Sequence, residues 1–165
     1  GVTGEILVSG PSVMMGYLNN EKETNEVLEK DKKGNIWLHT GDLGYINKDG
    51  ALFFVQRLKR LIIVSGYNVF PSHIEDVLNK NEYILNSCVV GIPDPYKIQV
   101  PKAYIVLNDG VVLNSDVKKE IKSYCEKNIA KYALPYAYGY RKELPRTKVG
   151  KVAYRDLIDS EDNEE

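Results

Sequence analysis

Lys151 follows Gly150 in LPRTKVGKVAYRDL, residues 144–157, with Arg146 and Lys148 close by. A lysine ammonium is a compact point charge on a long stem, suited to meeting negative oxygens. The loop is not of the Walker A kind, which needs glycine where Pro145 stands and Ser or Thr where Val152 stands. The bland alternative is a solvated loop before a last helix. Thr40-Gly41-Asp42 is a second candidate. An ionised Asp42 can accept hydrogen bonds from two adjacent hydroxyls, as in a ribose diol. The same triplet is also common at strand-end turns for backbone reasons. In Gln56-Arg57-Leu58-Lys59-Arg60, Arg57 can donate to a nucleotide sugar and Lys59 can serve as a pivot, or the run is only a solvated basic junction. Ser65-Gly66-Tyr67 reads as a hairpin tip, where glycine supplies positive φ or leaves room for a narrow ligand. His39 and His73 lack neighbours at metal-ligand spacing and read as surface or turn residues. The twelve tyrosines form no array for stacking bases.

These residues need elements to hold them. A short strand is expected at 4–8, a superficial helix at 20–29, and strands at Ile36–Thr40 and Ala51–Arg57 joined through Asn47-Lys48-Asp49-Gly50. Residues 1–58 are thus β-rich with little helix to cover the sheet, as in the end of a truncated larger domain. A second unit is expected over 59–158. Leu61–Val64 and Tyr67–Phe70 form a tight hairpin. Pro71 opens a helix, with a capping box in Ser72-His73-Ile74-Glu75. Strands follow at Cys88–Ile92 and Ala103–Leu107, the latter apolar on both faces and so central. Val117, Ile121, Tyr124, Cys125 and Ile129 stripe a helix over 115–130. A strand near Tyr138–Lys142, the lysine loop and a helix from about Ala153 complete an α+β fold. Residues 159–165, with five acids and no base, read as an acidic tail.

Composition narrows the choices. The chain has 165 residues, 43% hydrophobic and 27% charged, with a formal net charge of −1. Such a balance offers no general basic field for nucleic acid. No apolar run approaches the roughly 20 residues of a transmembrane helix. Cys88 and Cys125 lack metal-ligand spacing and read as reduced, buried thiols of a cytoplasmic protein. A start at Gly1 that leads at once into a strand reads as a cut inside a larger protein.

The order of the motifs says more than each alone. VTGEILVSGPSVMMGYLNN, then WLHTGDLGYINKDGALFFVQRLKRLIIVSGYNVFPSHIEDVL, then LPRTKVGKVAYRDL closely resemble the late motifs of the adenylate-forming superfamily. The likeness covers residues 1–158. VSGYNVFPSHIEDVL looks more like fatty-acyl and aryl-CoA ligases than peptide-synthetase adenylation domains. The resemblance implies the C-terminal portion of an AMP-forming acyl-CoA synthetase, which makes acyl-CoA, AMP and pyrophosphate from a carboxylate, ATP and CoA with Mg²⁺. Residues 59–158 would then be a mobile lid, and the rest of the N-terminal domain would be its partner in the same chain.

By the same resemblance, Asp42 and Arg57 hold the nucleotide ribose beside Thr40, Lys59 is the hinge, and Ser65, Gly66 and Tyr67 form the hairpin of the thioester step. Lys151 is the catalytic lysine of adenylation, and no residue here is implied as a metal ligand. Departures stand at Gln56, Arg60, His73 and Tyr96-Lys97-Ile98-Gln99. Two alternatives remain: an adenylation domain of peptide-synthetase type that loads a carrier protein, and a non-catalytic α+β module that binds a nucleotide or partner.

Overall fold

The computed structural model describes residues 1–158, so the acidic stretch at 159–165 lies outside the described residues. The chain divides after Lys59 into two compact units. The first comprises β1 (Gly4–Val8), α1 (Glu21–Val27), β2 (Leu28–Lys30), β3 (Ile36–Ile46) and β4 (Leu52–Arg57). Leu38 pairs with both Val8 and Leu28, and Gly44 with both Gly4 and Phe54. A strand has two edges, so β1 lines one edge of β3 while β2 and β4 share the other in succession, all antiparallel. The turn before β4 is closed by Asn47, whose Oδ1 accepts from the amides of Asp49 and Ala51 at 3.0 and 2.8 Å.

Two local readings of the sequence are corrected in this unit. The first helix ends at Val27, because Leu28 leaves it to pair with Leu38. Thr40-Gly41-Asp42 is not a strand-end turn, since it lies within the 11-residue β3. Between the Leu7–His39 and Glu5–Leu43 pairs, β3 carries two more residues than β1, and Gly41 takes φ +69° there. Such a bulge turns side chains away from the regular pleat.

The second unit comprises β5 (Ile62–Val64), β6 (Tyr67–Val69), α2 (Pro71–Leu78), β7 (Ile84–Asp94), β8 (Ile98–Leu107), α3 (Ser115–Asn128), β9 (Ala137–Tyr140) and α4 (Tyr154–Ile158). β7 and β8 are antiparallel, β9 runs parallel to β8, and the β5–β6 hairpin joins through the Val64–Ile98 bridge. A hairpin added to a mixed three-stranded sheet with flanking helices is the expected α+β arrangement.

Side chains alternate across β7 and β8 with a period of two. Val89, Ala103 and Ile105 face Ile74 and Leu78 of α2 and Ile121 and Cys125 of α3. Cys88, Val90, Tyr104 and Val106 face Leu144 and Leu157. Each large apolar side chain buried this way contributes on the order of 1.5–3 kcal/mol. Both thiols are free and buried, and burial pushes the Cys88 thiol up to about 12, which leaves it inert.

The capping box is not formed. Phe70 is the N-cap with no side-chain hydrogen bond, and Pro71 occupies the first turn, so Ser72 sits inside the helix. Glu75 is used otherwise: its Oε1 accepts from the Val89 amide at 2.7 Å and pairs with Arg60. β7 and β8 are also longer than the sequence suggested. Pro93 and Pro101 lie within them, and the turn falls at Asp94, whose Oδ1 accepts from the Tyr96 and Lys97 amides. Among the described residues no helix is long and apolar enough to cross a membrane.

Candidate functional site

The first unit gathers Thr40, Asp42 and Arg57. The β3–β4 register sets Asp42 opposite Arg57, and Arg57 Nε meets Asp42 Oδ1 at 2.9 Å. Arg57 Nη1 also donates to the Thr40 carbonyl at 3.3 Å. The Thr40 hydroxyl donates to the Ile6 carbonyl at 2.7 Å and accepts from the Asp42 amide at 3.1 Å. Thr40 therefore shapes the segment from within, and Asp42 and Arg57 carry its charge. The Arg57 side chain is 61% exposed and that of Asp42 26%. A pair this open contributes no more than about 1 kcal/mol to stability, so its physical effect is to hold a carboxylate and a guanidinium side by side. Asp42 Oδ1 is buried facing Arg57 Nε, so the pair sets a carboxylate beside a planar fork of donors, and a carboxylate oxygen can accept from adjacent hydroxyls.

Sequence reasoning missed three residues here, Glu5, Glu29 and His39. His39, read as a surface or turn residue, has Nδ1 2.9 Å from Glu5 Oε2 and Nε2 3.1 Å from Glu29 Oε2. Hydrogen bonding to Glu5, then to Glu29, holds its pKa above the ordinary 6.5 against a small opposing effect of burial. Glu5 also accepts from the Gly41 amide at 3.0 Å. Glu5 gave no signal in the sequence because it lies 34 positions from His39.

Lys59 lies in a 3-10 turn at Leu58–Arg60 and is exposed. Arg60, the first residue of the second unit, is anchored: its Nη2 pairs with Glu75 and donates to the Val89 carbonyl at 3.3 Å, and its guanidinium lies 5.4 Å from the Tyr154 ring centroid. The departure noted at Arg60 thus has a structural account.

The second unit holds the remaining candidates. Ser65 and Gly66 have φ of +49° and +85°, so both central residues of the two-residue turn are left-handed, as in a type I′ hairpin. Tyr67 stacks on Tyr132 with ring centroids 5.1 Å apart. Beside them lies a cavity of about 220 Å³ whose lining includes Ser65, Tyr67, Lys97, Lys131 and Tyr136. The lysine loop is ordered by its own backbone. Arg146 pairs with Val152, the Thr147 amide donates to the Lys151 carbonyl at 2.7 Å, and Arg146 Nη1 donates to the Gly150 carbonyl at 2.9 Å. Lys151 is exposed across the loop from Thr147, and among the described residues its ammonium has no ion-pair partner. The loop therefore presents an uncommitted cation on a defined backbone.

Residues 73–151 match the AMP-binding enzyme C-terminal domain family. Over its length the chain is similar to the C-terminal portion of CoA ligases. It is 40% identical over 158 residues to the long-chain-fatty-acid–CoA ligase of Bacillus subtilis, covering 96% of this chain and 27% of the relative. Among solved structures, the ATP-bound MatB of Rhodopseudomonas palustris is 28% identical at a TM-score of 0.85, covering 96% of this chain and 30% of that one. The o-succinylbenzoate CoA synthetase of Bacillus subtilis, in complex with its acyl-adenylate intermediate, is 34% identical at a TM-score of 0.80, covering 99% and 32%. The chain thus spans less than a third of the relatives it matches.

Proposed function

We propose that this chain is the C-terminal part of an AMP-forming acyl- or aryl-CoA ligase that converts a carboxylate, ATP and CoA into acyl-CoA, AMP and pyrophosphate. The observation that carries the reading is the Asp42–Arg57 pair, which the β3–β4 register sets side by side. In this reading Asp42 accepts from both ribose hydroxyls, Arg57 steadies the same sugar, and Thr40 shapes the segment. Lys151 supplies positive charge while a carboxylate attacks the α-phosphorus. That attack brings anion against anion, so a cation placed there acts most strongly in the transition state. Two unit charges at ~4 Å and an effective dielectric of ~20 interact by about 4 kcal/mol. Lys59 is the pivot, in keeping with the boundary between compact units that follows it. Ser65, Gly66 and Tyr67 serve the thioester step.

Mg²⁺ would enter with the phosphates of ATP. Among the described residues no group of three His, Cys, Asp or Glu is placed to hold a metal. The partner is the remainder of an N-terminal domain in the same chain. In support, Ile46, Leu52, Phe53 and Phe54 are exposed on β3 and β4, and such apolar groups call for a cover. The two free thiols suit a cytoplasmic protein. Without the phosphate-binding and acyl pockets of that larger domain, these residues have no substrate to act on, and this stretch alone is inactive.

The test separates the two half-reactions in the intact protein. Lys151→Ala should slow acyl-AMP formation by roughly 10²–10³-fold and spare thioester formation from supplied acyl-AMP. Equal loss in both steps would refute the role given to Lys151.

A further inference from the structure

Glu5 touches the Thr40–Gly41–Asp42 segment, yet none of the roles above uses it. One carboxylate oxygen, Oε1, accepts from the Gly41 amide at 3.0 Å, where the backbone is left-handed in the middle of a strand. The other, Oε2, meets His39 Nδ1 at 2.9 Å, and His39 Nε2 meets Glu29 Oε2 at 3.1 Å. Hydrogen bonds to an ionised acceptor are roughly twice as strong as neutral ones. Gly41 has no side chain to fix its peptide, and its φ of +69° is reached only with the bulge in β3. The Glu5 bond ties that peptide to β1, one residue before Asp42. The Thr40 hydroxyl ties the preceding residue to β1 through the Ile6 carbonyl. The direction in which Asp42 leaves the strand therefore depends on both ties.

A neutral imidazole has one N–H and one bare nitrogen, so only the charged ring satisfies Glu5 and Glu29 together. The groups facing His39 are Glu5 from β1 and Glu29 from β2. On the β4 side, Arg57 is engaged with Asp42 and the Thr40 carbonyl. We propose that Glu5 is a positioning residue for Asp42, steadied by charged His39, so that affinity for a nucleotide ribose follows the charge on that ring. This rests on the nucleotide role given above to Asp42.

The sign follows from the proton count. While His39 carries both protons, the two carboxylates are held. Once it loses one, a bare nitrogen faces a carboxylate lone pair. Glu29, whose side chain is 66% exposed, is then free to leave, and the hold on Glu5 slackens. Affinity falls as pH rises through the His39 pKa, which lies above 6.5.

The probe is AMP, titrated calorimetrically against the intact protein across the pH range in which His39 changes charge. Glu5→Ala should weaken AMP binding about tenfold, as loss of a charged hydrogen bond does. Glu5→Gln keeps an acceptor for the Gly41 amide and should recover most of the affinity while losing the pH dependence. His39→Gln should lose the pH dependence and bind AMP at every pH about as weakly as the wild type does once His39 is neutral. The ratio of wild-type to His39→Gln affinity removes the titration of AMP's own phosphate, and thermal melts confirm that each variant is folded. An NMR titration should place the His39 pKa above 6.5 in the wild type and lower in Glu5→Gln. Normal AMP binding by Glu5→Ala, with binding lost in Asp42→Ala, overturns the positioning role and leaves the nucleotide reading intact. Normal binding by Asp42→Ala overturns both. A wild-type to His39→Gln ratio that stays flat with pH, or a His39 pKa at or below 6.5, overturns the coupling.

Discussion

The two sheets of this chain solve the burial problem differently. In residues 60–158, both faces of β7 and β8 are covered, one by α2 and α3 and the other by Leu144 and α4. In residues 1–59, the buried residues are only Leu43, Gly44 and Gln56, while Ile46, Leu52, Phe53 and Phe54 of β3 and β4 are exposed. Hydrophobic burial is the main favourable term in folding, so the second unit carries its own stabilisation and the first must borrow it. The chemistry divides along the same line. The Asp42–Arg57 pair sits on the sheet that needs a cover, and Lys151 sits on the self-sufficient unit. A small body with its own core can move as a body, as the role proposed above for Lys151 requires.

Excision gives the largest test of this contrast. Residues 60–158, expressed alone, should unfold in a single cooperative transition, whereas residues 1–59 alone should show none. A cooperative melt from the shorter piece would break the comparison. Next in size is Leu78→Ala, which empties a fully buried position between α2 and the sheet and should cost about 3 kcal/mol in chemical denaturation. Phe54→Ser, on the uncovered sheet, should cost the separate chain less than about 0.5 kcal/mol. Glu75→Ala should cost about 3 kcal/mol, because it strands the largely buried Arg60 guanidinium and leaves the Val89 amide without its acceptor. A loss under about 0.5 kcal/mol would show that water or a neighbour replaces Glu75.

The sequence made the strands and turns legible where local chemistry decides them. Asn47 through Gly50 and Ser65-Gly66 mark their turns because side-chain caps and left-handed backbone are local properties. The apolar stripe of α3 was readable for the same reason. What depends on the register between strands was not. Asp42 and Arg57 were given roles by resemblance, but their contact exists only through the β3–β4 register. The bulge that carries Gly41 cannot be read from β3 alone, because it is a mismatch in length against β1. Glu5, His39 and Glu29 come from three strands, so no spacing announces them. Ser72-x-x-Glu75 misled because Pro71 already fills the first helical position and Glu75 is more strongly engaged by Arg60 and Val89.

The smallest expected effect lies at Asp31, at the turn between β2 and β3. Its carboxylate accepts from the Lys33 and Asn35 amides at 2.8 and 2.9 Å, from the Asn35 side chain at 2.8 Å and from the Trp37 indole at 3.3 Å. The Asn35 side-chain bond is the main cause that holds its pKa down to about 2, from an ordinary 3.8. A carboxylate with a depressed folded pKa binds protons more readily when unfolded, so its contribution is complete above pH 3.8 and fades as pH falls toward 2. Asp31→Asn should therefore melt below the wild type at pH 5, and the gap should close as the pH approaches 2. Exposure keeps the effect small, and it should leave residues 60–158 untouched, which hydrogen exchange resolved by segment can verify. A gap that persists at pH 2 would mean that the turn depends on the shape of the side chain and not on its charge.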